Sequence, residues 1–145
     1  MLSQPLIITY EHAALLDHHL RRFAEDTGAD TVLLTGCDGT MCAAFNRDDG
    51  IDIELLCALA VGTFNSSNAL AALAGEDEFT TVYQQSGHGC IYITSASTDF
   101  VLLAQYSHRP DTQYMRLLGR ITSEAVVHVL ELAQATTQTR LRKAS

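Results

Sequence analysis

From Cys57 to Gly75 the chain reads CALAVGTFNSSNALAALAG, with no Asp, Glu, Lys, Arg or His, although acidic residues crowd both flanks. A run of this length without charge must be covered by a membrane, by the rest of its own domain or by another chain. The first choice fails on the sequence. A span from Ile51 to Ala74 would be about long enough, but it would set Thr63-Phe64-Asn65-Ser66-Ser67-Asn68 at the bilayer centre. Its flanks, DDGID and GEDE, also lack the basic residues that fix topology. No membrane insertion is expected.

The rest of the chain reads as one domain of short elements. Tyr10 to about Thr27 has Leu15, Leu16, Leu20 and Phe23 at helical spacing, and Gly28 stops it. Thr31–Thr35 and Met41–Phe45 are apolar runs parted by Gly36-Cys37-Asp38-Gly39, a hairpin signal. Asp52 can cap a helix over residues 53–75, the uncharged stretch itself. Phe79–Gln85, Cys90–Thr94 and Phe100–Tyr106 form a meander with two tight turns, within residues 79–106. A last helix is expected over 112–134, followed by a polar, fraying tail over 135–145. The predicted class is α+β: a five-stranded antiparallel sheet between helices in the order α-β-β-α-β-β-β-α, with helices on both faces.

At 145 residues a single domain is the expected organisation. With 9 basic against 17 acidic residues the formal charge is −8, which argues against nucleic acid and anionic membrane surfaces as partners. The sole lysine is Lys143, so no phosphate-binding P-loop can be built. The opening MLSQPLII lacks a basic n-region, so no signal peptide is expected. Cys37, Cys42, Cys57 and Cys90 lack C-x-x-C spacing and read as reduced thiols of a cytoplasmic protein. With His88 they match no zinc-ligand pattern, and no G-x-S-x-G elbow occurs. No metal, cofactor or catalytic residue is expected, and the chain does not read as an enzyme. Arg47 and Arg109, the loop arginines, sit beside aspartates that would pair with them.

On a helical projection of the uncharged stretch, Leu55, Leu56, Leu59, Thr63, Leu70 and Leu73 gather on one side, which is expected to pack on the sheet. The other side carries Ala58, Val61, Asn65, Asn68 and Ala72, with Gly62 and Ala69 at its edge. Small residues let a second backbone come close, so this side is predicted to be an interface. The strand beginning near Phe79 offers a second open surface. Thr80, Thr81, Val82, Tyr83 and Gln84 include none of the Lys, Pro or Gly that blunt sheet edges. An edge and a helix that both need covering predict a two-fold homodimer.

The runs GADTVLLTGCDGTMCAAF and LLCALAVGTFNSSNALAALAGEDEF, followed by a meander and a final helix, resemble the Roadblock (dynein light chain) family over about Ala13 to Ala133. Within it they resemble the bacterial gliding-motility and polarity regulators of MglB type. The resemblance implies a homodimer whose sheet continues across the two-fold axis, with its two middle helices side by side. It implies that this helix pair holds a small Ras-like GTPase, and that the dimer stimulates hydrolysis by reshaping a partner that supplies its own catalytic groups. The residues so implicated are Ala58, Val61, Gly62, Asn65, Asn68, Ala69 and Ala72; Phe64 departs from the small-residue pattern. Two other readings stand beside it: a purely scaffolding dimer, or a small-ligand sensor with a pocket lined by Tyr92, Tyr106 or Tyr114.

Overall fold

A computed structural model describes residues 6–47, 49–76 and 81–144. The elements run α1 (Tyr10–Thr27), β1 (Thr31–Gly36), β2 (Met41–Asn46), α2 (Ile53–Leu73), β3 (Thr81–Gln85), β4 (Cys90–Ser97), β5 (Phe100–Tyr106) and α3 (Thr112–Ala144). The order is the expected one. The five strands form one sheet, β2-β1-β5-β4-β3, with every neighbouring pair antiparallel.

Local chemistry sets the ends of these elements. Thr9 caps α1 by accepting from the His12 amide, and Gly28 closes it in the left-handed region at φ 82°. Asp52 caps α2 by accepting from the Leu55 amide at 3.1 Å. In the β1–β2 turn, Gly39 takes φ 86°, which only glycine adopts without strain, while Asp38 Oδ1 accepts from the Thr40 amide. At Gly89 the constraint is space: a Cβ would lie 2.1 Å from the Tyr106 carbonyl oxygen.

Strand alternation divides the core into two layers. Val32, Leu34, Tyr92, Leu102, Ala104 and Tyr106 face α1 and α3, where Leu16, Leu20, Phe23, Met115, Val126 and Leu130 meet them. Leu33, Ile93, Val101 and Leu103 point the other way, onto Cys57, Ala60 and Phe64 of α2. Tyr106 is fixed within the first layer by its hydroxyl, which donates to Thr27 Oγ1 at 2.9 Å.

The chain departs from expectation at its end. Instead of fraying after residue 134, α3 continues to Ala144. Threonines at 136, 137 and 139 donate back to the carbonyls of Leu132, Ala133 and Ala135, so their hydroxyls are satisfied inside the helix. Thr137, buried, also accepts from the Ile7 amide at 3.1 Å and so ties the N-terminal segment to α3.

Burial pushes the Cys42 thiol up to about 11 and raises Cys37 and Cys57 for the same leading reason. The sign follows directly. The unfolded chain loses these protons from about pH 8.5 upward while the folded chain keeps them, so stability is full below that pH and falls above it. The urea midpoint is therefore expected to decline between pH 8.5 and 10.5. A midpoint that rose over this range would contradict the burial of these thiols.

Candidate interface on helix α2 and strand β3

The inner face of α2 is made by Cys57, Ala60, Val61, Phe64 and Ala71, all buried. This corrects the expected orientation. The leucine side does not pack on the sheet; Leu55, Leu59, Leu70 and Leu73 are 54%, 59%, 62% and 88% exposed. The reason is steric. The sheet surface beneath α2 already carries the large side chains of Leu33, Ile93, Val101 and Leu103, so at its centre the helix approaches with Cys57, Ala60 and one aromatic, Phe64, while Ile53 and Leu56 pack only in part. Leu55, Leu59, Leu70 and Leu73 are left outside, while Leu56, half-buried, still packs against this layer.

Of the residues expected to face outward, Ala58, Gly62, Asn65, Ala69 and Ala72 do so. Val61 does not, being buried among the inner residues, and Asn68 is half-buried with its Oδ1 unpartnered. Phe64, expected to bear on a partner's fit, lies inside and anchors the helix. The outer face is thus more apolar than the sequence suggested: small residues and amides flanked by four exposed leucines. By length and composition Ile53–Leu73 could cross a membrane, yet its inner face is packed on the sheet.

Strand β3 closes one end of the sheet, so among the described residues one of its edges has no strand beside it. Val82 leans toward the α2 layer and Tyr83 toward the opposite one, while Gln84 is exposed. Thr81 shares a 3.3 Å hydroxyl contact with Thr94; Thr80 lies outside the described residues. The two surfaces meet. A shallow depression of about 530 Å³ is lined by Ala58, Leu59, Gly62, Thr63, Ser66, Ser67 and Leu70 of α2 together with Gln84 of β3. A Cβ placed at Gly62 would touch nothing within 4 Å, so the space above the helix is open.

The loop arginines have local roles. Arg47 lies 5.7 Å from the Phe45 ring centroid, and Arg109 Nη2 donates to the Ser86 carbonyl at 3.2 Å. Among the tyrosines expected to line a pocket, Tyr106 belongs to the core, Tyr114 is exposed on α3, and Tyr92 borders a cavity on the far side of the sheet from α2.

An antiparallel sheet in the order β2-β1-β5-β4-β3, with α1 and α3 on one face and α2 on the other, is the Roadblock/LC7 fold. The Roadblock/LC7 domain from Streptomyces avermitilis superposes with a TM-score of 0.61, at 13% identity over 84% of this chain and 97% of that one. The likeness is greater to MglB. The gliding protein MglB of Thermus thermophilus gives 0.77 at 22% identity, over 90% of this chain and 98% of that one. An MglB with a tetrameric arrangement gives 0.79 at 21% identity, over 91% and 99%. At these identities the shared property is the fold. The sequence matches no protein-family model and no curated protein sequence.

Proposed function

We propose that the chain is a homodimeric regulator of a small Ras-like GTPase, acting in the cytoplasm in cell polarity or gliding motility. In this reading two β3 edges pair into one continuous sheet, and two α2 helices lie side by side as the platform for the GTPase. The observation that carries it is the leucine-flanked outer face of α2 running into the open edge of β3. A patch of this character on a soluble fold marks a protein-binding surface. The MglB neighbours support the assignment, and one of them has a tetrameric arrangement, in keeping with a fold that associates with itself. The acidic balance of the chain suits a partner with a basic surface.

The chain is read as a GTPase-activating protein that reshapes its partner and has no catalytic group of its own. Arg47 lies near the Phe45 ring and Arg109 donates to the Ser86 carbonyl, local contacts that support a mechanism without a donated arginine. Mixing the protein with candidate Ras-like GTPases should accelerate GTP hydrolysis. In that assay Arg47→Ala and Arg109→Ala are each expected to change the stimulated rate by less than about tenfold. Loss of an arginine finger would cost about 10³–10⁵. A collapse of that size with binding intact would replace the platform mechanism with a finger supplied in trans.

A further inference from the structure

On the opposite face of the sheet from α2, strands β3 and β4 and helix α3 enclose a cavity of about 590 Å³. That volume is in the range of small-molecule sites. Its wall is polar in an unusual combination. Arg116 and Arg120 reach it from successive turns of α3, and neither makes an ion pair among the described residues, whereas Arg21 and Arg22 on α1 pair with Asp17 and Asp26. Ser123, one turn further along, lines the same cavity; it is 7% exposed, and its Oγ has no hydrogen-bond partner. A buried hydroxyl without a partner is costly and calls for an explanation.

The strand side supplies flat surfaces. Tyr83 and Tyr92 sit opposite each other in the β3–β4 register and both line the cavity. The Tyr92 ring has its place because α3 carries glycine there: a Cβ on Gly119 would lie 2.9 Å from the Tyr92 hydroxyl oxygen. Glu124 also borders the space. Two guanidiniums and one carboxylate leave the lining with one net positive charge in a protein whose overall charge is −8. Arginine's planar fork is suited to a carboxylate or phosphate head, and tyrosine rings to an aromatic or apolar body behind it.

We infer that this cavity is a binding site for a small organic oxyanion, a carboxylate or phosphate ester with an aromatic or apolar body. Arg116 and Arg120 hold the anionic head, Ser123 stands behind them, and Tyr83 and Tyr92, side by side on the sheet, form one wall against the body. The site lies across the sheet from the proposed GTPase platform and does not depend on it.

The test is an amide NMR titration of the full chain, without any GTPase, using phenyl phosphate, benzoate and, as the uncharged control, phenol. Saturable shifts clustered at Tyr83, Tyr92, Ser95, Arg120 and Ser123 are expected with one or both anions and not with phenol. The relative strength of the two anions assigns the head group. Arg116→Gln combined with Arg120→Gln should weaken binding at least tenfold while the circular dichroism spectrum is unchanged, since both residues are exposed. Ser123→Ala should weaken it with no loss of thermal stability. The inference is overturned if neither anion saturates, if phenol binds equally well, or if the double arginine variant binds as the parent does. Failure here leaves the GTPase reading intact, because hydrolysis is assayed separately.

Discussion

Leu59→Arg is expected to leave the domain folded and to abolish its self-association at micromolar concentration. Leu59 is 59% exposed on the outer face of α2, so its replacement removes little from the domain's own core. Surface changes of this kind usually stay within about 0.5 kcal/mol. In a paired arrangement the same arginine would enter a surface with no carboxylate from Cys57 to Gly75 to meet it. Stripping water from an unpaired guanidinium costs several kcal/mol. At about 1.4 kcal/mol per decade, the dissociation constant should rise by roughly 100-fold or more. Light scattering across a concentration series should show the parent at twice the 15.8 kDa chain mass and the variant at one. A dimeric variant would place the interface elsewhere, and an unfolded one would return Leu59 to the core.

Phe64→Ala is expected to do the opposite: it should strike the fold of the single chain. Phe64 is 7% exposed and is the largest side chain that α2 sets against Leu33, Ile93, Val101 and Leu103. Truncating a buried phenylalanine costs about 3–5 kcal/mol. For a chain of this length that corresponds to a fall in Tm on the order of 10 °C. Leu70→Ala, at 62% exposure, should by contrast move monomer stability by less than about 1 kcal/mol. Thermal melts of the two variants, run dilute enough to keep both monomeric, therefore read the orientation of α2 directly. Equal losses would mean that the helix is turned differently on the sheet.

The orientation had to be seen because the helix is apolar on nearly every side. Helical periodicity singles out the leucine side, but the opposite side is also uncharged, built of alanines, a valine and a phenylalanine, so either could meet the sheet. One signal was present: Cys57, Phe64 and Ala71 recur every seven residues, with Ala60 and Val61 between the first two. Its meaning depends on the sheet beneath, whose bulky residues demand short ones above. The turns were legible because Asp38-Gly39, Gly28 and Asp52 each do a specific local task. The end of α3 was not, since its threonines favour other conformations until their hydroxyls fold back onto the helix and Ile7 docks on Thr137. Of the cavity on the other face of the sheet, the sequence pointed only to Tyr92. Tyr83, Tyr92 and the α3 arginines come together only when β3, β4 and α3 are stacked.

The short side chains on the inner face of α2 have a consequence for how the molecule is held together. Each buried methylene contributes about 0.8 kcal/mol, and Cys57, Ala60 and Ala71 have few to offer. Apart from Phe64 and the half-buried Ile53 and Leu56 the helix rests lightly on the sheet, while α1 and α3 are locked to its other face by Leu16, Leu20, Phe23, Met115 and Leu130. Elements with the least buried apolar surface are the first to open in the native state. A partner covering the leucines of α2 would therefore also supply anchorage that its inner face lacks. Binding on the outer face of this helix and its hold on the sheet would then be linked, so that a partner settling there would also resist its local opening.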